Sequence, residues 1–257
     1  MKYRLWIKAL LFFLLSAAFT LALACLLGAI DAHPNKNTSE IPTSGTQLPR
    51  YTTVIIDAGH GGEDGGATSA AGLVEKDVNL EISQMLCDML RTNGINVIMT
   101  REDDRLLYDR NTNYQGRKKK LDLAARLAIA DSTTDAIFVS IHMNSFSQEK
   151  YSGLQVYFSE NSPLSQNLAE NIQELVKNNL QPNNTRTIKP SGGNIFLLDK
   201  IQHPAVLVEC GFLSNSEECE LLCTPEYRKR LSMVIFCSVA SYLENFENMG
   251  NNPANST

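Results

Sequence analysis

The sequence predicts an α/β domain: a three-layer α/β/α arrangement around a mostly parallel mixed sheet, following an N-terminal hydrophobic signal or anchor helix. Three observations predict it. Short runs rich in β-branched residues recur along the chain. They alternate with longer stretches of helical periodicity. Several runs are apolar at nearly every position, as in strands covered on both faces. With 43% hydrophobic and 20% charged residues in 257, the chain has enough apolar content for a core and is not a disordered protein. Lys and Arg number 23 against 28 Asp and Glu, and the resulting net charge of −5 argues against nucleic acid as a partner.

Ala9 to Ile30 is free of charge and is preceded by Lys2, Arg4 and Lys8. As a helix it would span roughly 33 Å, enough for a bilayer. The cations before it place the N-terminus inside and the rest of the chain outside, so the protein is expected to be exported, extracytoplasmic, and membrane-anchored or secreted. Small residues in Leu21-Ala22-Leu23-Ala24-Cys25 offer a cleavage pattern, and Cys25 a lipidation site disfavoured by Ala22 three positions earlier. Residues 1–30 are thus read as signal peptide or anchor. The polar, proline-bearing 31–50 is a linker, 51–246 one folded domain, and 247–257 a flexible tail.

Within the domain, strands are expected at Thr53–Asp57, Asn96–Met99, Ala136–Ile141, Leu154–Phe158 and Ala205–Glu209, with the run near Leu154 as the antiparallel member. Helices are expected at Glu75–Thr92, Arg117–Ala130, Pro163–Leu180 and Pro225–Phe246, the last two opening on prolines suited to a first turn. The cysteines are too scattered for a disulfide framework. Cys219 and Cys223, one helical turn apart, are poorly placed to bridge, so most thiols are expected to be reduced and buried.

The chemistry concentrates where strands end. Asp57-Ala58-Gly59-His60-Gly61-Gly62-Glu63-Asp64-Gly65-Gly66 follows the first strand. It is not a phosphate loop, because Asp64 replaces the required glycine or alanine and no Gly-Lys-Ser/Thr follows. It leaves a histidine in a loop of unusual backbone demands. His142 stands where the apolar run 136–141 turns polar, at the equivalent edge of the sheet. Either histidine alone is as readily a hydrogen-bonded strand-end residue, but the pair favours a metal. Zinc would need a third ligand. Glu75, at the predicted start of the first long helix, is one candidate, with Glu63 and Asp64 as rivals; its bland role is to stabilise the helix N-terminus. Glu209 closes a buried strand, where a carboxylate is rare unless paired or metal-linked. It suits a general base, or else a salt bridge to Arg126 or Arg101. A structural zinc site from His203, Cys210, Cys219 and Cys223 is disfavoured by its spacing.

VIIDAGHGG, EKDVNL, SIHMNS and VLVECGFLSN, in this order, resemble the zinc-dependent N-acetylmuramoyl-L-alanine amidases of the Amidase_3 type, from about Val54 to Leu243. Segments 99–104, 117–123 and 152–158 look closest to the CwlD-type, germination-specific spore-cortex branch. The resemblance implies one Zn2+ per domain held by His60, Glu75 and His142, with Glu209 as the catalytic carboxylate. The implied substrate is peptidoglycan, cut between N-acetylmuramic acid and L-alanine of the stem peptide as the first step toward muramic-δ-lactam. An uncleaved N-terminal segment would add the membrane as a partner, and an activating partner protein is a further expectation. The residues between His142 and Leu154 are too few for the autoinhibitory helix of division-type relatives. A non-catalytic, membrane-tethered peptidoglycan-binding protein and a zinc stem-peptide peptidase are the alternatives.

Overall fold

The structure, a computed structural model, describes residues 52–250 except 110, 112, 113 and 115, with side chains to 245. The expected hydrophobic segment, linker and last seven residues lie outside the described residues. No helix among the described residues is long and apolar enough to cross a membrane.

Six strands form one sheet: β1 (Thr53–Ala58), β2 (Asn96–Met99), β3 (Ala136–Asn144), β4 (Gln155–Phe158), β5 (Lys189–Pro190) and β6 (Ala205–Phe212), ordered β2-β1-β3-β6-β4-β5. β4 runs antiparallel to β6, as expected near Leu154, and every other neighbouring pair is parallel. The helices are α1 (Glu75–Thr92), α2 (Lys118–Asp131), α3 (Pro163–Asn179), α4 (Phe196–Lys200), α5 (Ser216–Cys223) and α6 (Pro225–Gly250).

Both faces of the sheet are covered, which accounts for the apolar runs. Val54, Ile56, Ile137, Val139, Ile141, Val206 and Val208 face a core shared with α1, α3 and α6. On α1, Val78, Ile82, Leu86 and Leu90 recur every fourth residue and are buried; each contributes roughly 1.5–3 kcal/mol relative to exposure. Tyr227, Leu231, Ile235, Val239 and Tyr242 repeat the pattern on α6. On the opposite face Ile55, Phe138 and Leu207 pack with Leu197 and Leu198 of α4 and with Ala130 of α2. This cover is shared by α2, of 14 residues, and α4, of only five. Toward the carboxyl edge on this side His142 and Glu209 are partly exposed, at the place where ligands of open α/β sheets collect.

The central strands run further than their apolar stretches. β3 continues through His142 to Asn144 and β6 through Glu209 to Phe212, because the two pair beyond these residues across a register shift between His142 and Asn144. His142 and Glu209 are therefore in-strand residues, not strand ends. β5, α4 and α5 have no counterpart in the expected elements: they are too short for a periodicity to emerge. α6 runs past Phe246 to Gly250. The loop from Ser145 to Leu154 contains no helix.

Candidate metal centre and active site

The chain leaves β1 through Gly59 and turns at His60, which adopts φ +63°, a conformation costly for a residue with a Cβ. Polar side chains hold it there. The carbonyl oxygen of Ala58 accepts from Arg126 Nη1 at 2.8 Å and Arg101 Nε at 2.8 Å. That of Gly59 accepts from Arg101 Nη2 at 3.0 Å and Asn79 Nδ2 at 3.1 Å, and that of His60 from Arg126 Nη2 at 2.7 Å. Both arginines are buried. Arg126 is neutralised by Asp57 (2.6 Å) and Asp122 (2.8 Å). Asp57 also accepts from Thr100 Oγ1 and Ser140 Oγ. Its own burial works against ionisation, but Arg126 and the hydroxyl of Ser140 hold its pKa below the usual carboxylate value.

The loop returns so that Glu75, the first residue of α1, faces both histidines. Its Oε1 lies 3.2 Å from His60 Nε2 and 3.1 Å from His142 Nδ1, and the two rings meet edge to face at 5.0 Å. Oε1 also accepts from Met143 N at 3.1 Å, and Oε2 from Ala67 N at 2.8 Å, which fixes the carboxylate plane. Burial opposes ionisation of Glu75, yet its bonds to His142 and His60 keep it charged far below the ordinary range. Gly66, at φ +68°, closes the ring: a Cβ there would stand 2.5 Å from Glu75 Oε2.

The donor atoms of His60, Glu75 and His142 all lie within 4.8 Å of one another, a group able to hold a metal ion and the one such group among the described residues. Two imidazoles and a carboxylate suit zinc, which in catalytic sites takes three such ligands and keeps a further position open. Asp64 lies beside this group: its Oδ1 is 3.0 Å from His60 Nδ1, near enough for its charge to act on the ring, although that nitrogen makes no well-formed hydrogen bond. Burial counts against protonating His60, but Glu75 and Asp64 outweigh it and raise its pKa. Glu63 pairs instead with Lys118.

Glu209 stands opposite His142 in the β3–β6 register, on the same face. It makes no ion pair with Arg126 or Arg101, whose guanidinium groups are committed to Asp57, Asp122 and the carbonyls of the loop. Its Oε2 is buried without a hydrogen-bond partner among the described residues. Burial, with the nearby charge of Glu75, raises its pKa to about 7 against the attraction of His142 and His60. An unpartnered carboxylate oxygen beside a metal-capable group is the arrangement a proton-transferring base requires.

His203, Cys210, Cys219 and Cys223 do not form a metal group, and Cys87, Cys210, Cys219, Cys223 and Cys237 are free thiols, the first three buried. The reading of residues by type missed Asp57, whose buried position in an otherwise apolar strand was the available signal. It also gave no role to Gln155, Tyr157 and Arg186, although the first two fall in the segment 152–158.

Fold and site together define an α/β domain with a metal-capable His-Glu-His group and a buried carboxylate at the carboxyl edge of its sheet. The model of the N-acetylmuramoyl-L-alanine amidase family matches residues 54–241, and the chain belongs to that family. It is 35% identical over 226 residues to the germination-specific N-acetylmuramoyl-L-alanine amidase of Bacillus subtilis, covering 88% of this chain and 93% of that one. Among solved structures, the CwlD amidase of Clostridioides difficile in complex with the GerS lipoprotein is 39% identical, with a TM-score of 0.71 over 76% of this chain and 99% of that one. The amidase AmiC2 of Nostoc punctiforme is 30% identical, with a TM-score of 0.63 over 76% of this chain and 98% of that one.

Proposed function

We propose that this chain hydrolyses the amide between the lactyl group of N-acetylmuramic acid and L-alanine of the stem peptide in peptidoglycan, with zinc held by His60, Glu75 and His142. The observation that carries the mechanism is the buried, unpartnered Oε2 of Glu209 beside that group. When bound, zinc supplies Lewis-acid polarisation of the scissile carbonyl and makes water nucleophilic near neutral pH. Glu209 accepts the proton of the attacking water and delivers it to the departing L-alanine nitrogen; a pKa near 7 suits it to both transfers. Arg101, Arg126 and Asn79 hold the loop, so the donors are ordered before metal binds.

The physiological substrate we infer is spore cortex, in the first step toward muramic-δ-lactam; the germination-specific relative supports this. The GerS complex of the C. difficile relative supports an activating partner protein here as well. The hydrophobic segment at 9–30 supports export and action outside the cytoplasm.

The test is mass spectrometry of muropeptides from vegetative and cortex peptidoglycan treated with the full-length chain, with zinc and with chelator. Zinc-dependent release of intact stem peptides with a free L-alanine amine is the expected result. Cleavage between stem amino acids would make the protein a peptidase instead. No cleavage by zinc-loaded protein in the presence of its partner would leave a binding protein.

A further inference from the structure

Beyond Glu209 the sheet continues into β4 and the segment that leads into β5. Gln155 lies directly opposite Glu209 in the antiparallel β6–β4 register, so both side chains emerge on the same face. Gln155 is buried, and both ends of its amide are used: Nε2 donates to Thr187 O at 2.8 Å, and Oε1 accepts from Arg186 Nη1 at 2.5 Å. Arg186 is fixed at two further points. Its Nε donates to Ser152 O at 2.9 Å, and its guanidinium carbon sits 4.5 Å over the ring of Phe212.

What this arginine lacks is an ion-paired acid. Arg126, Arg228, Lys76 and Lys118 all have carboxylate partners, whereas no carboxylate among the described residues pairs with Arg186 and its Nη2 donates to none of them. It lies on the side of the sheet that carries Glu209, because it bonds Gln155, which shares that face; its charge also acts on Glu218, whose carboxylate accepts from Gly153 N and Phe212 N instead of pairing with it. A guanidinium immobilised in advance and left without an anion is preorganised to take a carboxylate from outside, because little side-chain entropy remains to be lost.

The geometry points to Arg186 as the anion-recognising residue of the substrate cleft, binding the carboxylate of the stem-peptide residue next to the L-alanine released by cleavage. This rests on the amidase reading. Side chains of directly opposed residues start about 5 Å apart, and Arg186 lies one hydrogen bond beyond Gln155. Peptide residues advance about 3.5 Å each, so a group one to two residues from the scissile amide spans that interval.

The test uses the zinc-loaded full-length chain and two muropeptides that differ only in carrying a carboxylate or a carboxamide at the second stem residue. The wild type is expected to favour the carboxylate by about tenfold or more in kcat/KM, chiefly through KM. In Arg186→Gln the ratio is expected to fall toward one, while Arg186→Lys, which keeps the charge but not the fork, retains part of it. A wild-type ratio near one, or a ratio unchanged in Arg186→Gln, overturns the assignment and leaves the amidase intact. Cleavage of neither substrate with the activating partner present overturns the amidase reading and this subsite with it.

Discussion

Gly59 separates folding from metal binding in a way one substitution can expose. A Cβ at this position would stand 2.2 Å from His142 Nε2 and 2.3 Å from Cε1, about 1.2 Å short of ordinary contact. The crowded atoms are the far end of a side chain, so Gly59→Ala is relieved by swinging the ring rather than by moving the backbone. Pushing the ring off its rotamer costs about 0.5–1.5 kcal/mol. Alanine recovers about 0.4–1 kcal/mol by restricting the unfolded chain, since the backbone at Gly59 is not in the left-handed region. The chelator-treated variant should therefore unfold within about 1 kcal/mol of wild type in urea. Metal ligands tolerate displacements of only about 0.2 Å, so a ring moved by about 1 Å no longer serves. Zinc affinity, measured by competition with a chromophoric chelator, should fall by at least about 100-fold, beyond what is typical for loss of an orienting partner. A folded Gly59→Ala protein that binds zinc within about threefold of wild type would refute the reasoning, and with it the role of His142 as ligand.

Arg126→Leu strips the partner from buried Asp57 and from Asp122 and should cost about 3–5 kcal/mol in denaturant unfolding; a loss under about 1 kcal/mol would show the clamp to be dispensable. Glu209→Gln should abolish amide hydrolysis while retaining zinc, and its metal-free stability should diverge from wild type with pH. The folded carboxyl titrates near 7 against 4.5 when unfolded, so the wild type carries no penalty below 4.5 and loses stability as pH rises to 7. Relative to the Gln variant, that loss should reach up to about 3 kcal/mol, and parallel stability curves from pH 4.5 to 8 would contradict it. Asp57 has the opposite sign: its folded pKa lies below the ordinary 3.8, so its stabilisation is full above that value and is lost as pH falls through the folded pKa. Ser140→Ala weakens the hold on the charged form and should move acid unfolding, followed by circular dichroism, to higher pH.

The sheet and its long helices were legible because their signals are local. Covered strands read as apolar runs, and four-residue spacing on α1 and α6 marks buried stripes. The extensions of β3 to Asn144 and β6 to Phe212 were not legible, because they depend on one strand pairing with the other. β5 and α4 are too short to carry a period.

Sequence alone singled out the candidate groups, two histidines and two glutamates whose types and neighbouring glycines limit what they can do, and an order of motifs matching one family. Tertiary structure decided their relations. Glu75 comes within 3.2 Å of His60 and Glu209 falls opposite His142 only because a loop and two strand registers bring distant residues to one edge. The same packing commits Arg101 and Arg126 to backbone carbonyls and sets Asp64 beside a histidine, while leaving Arg186 without an ion-paired acid. Residue type sets the pKa and donor count of a group, but its partners are set by distance in the folded chain, and a linear pattern does not encode that distance.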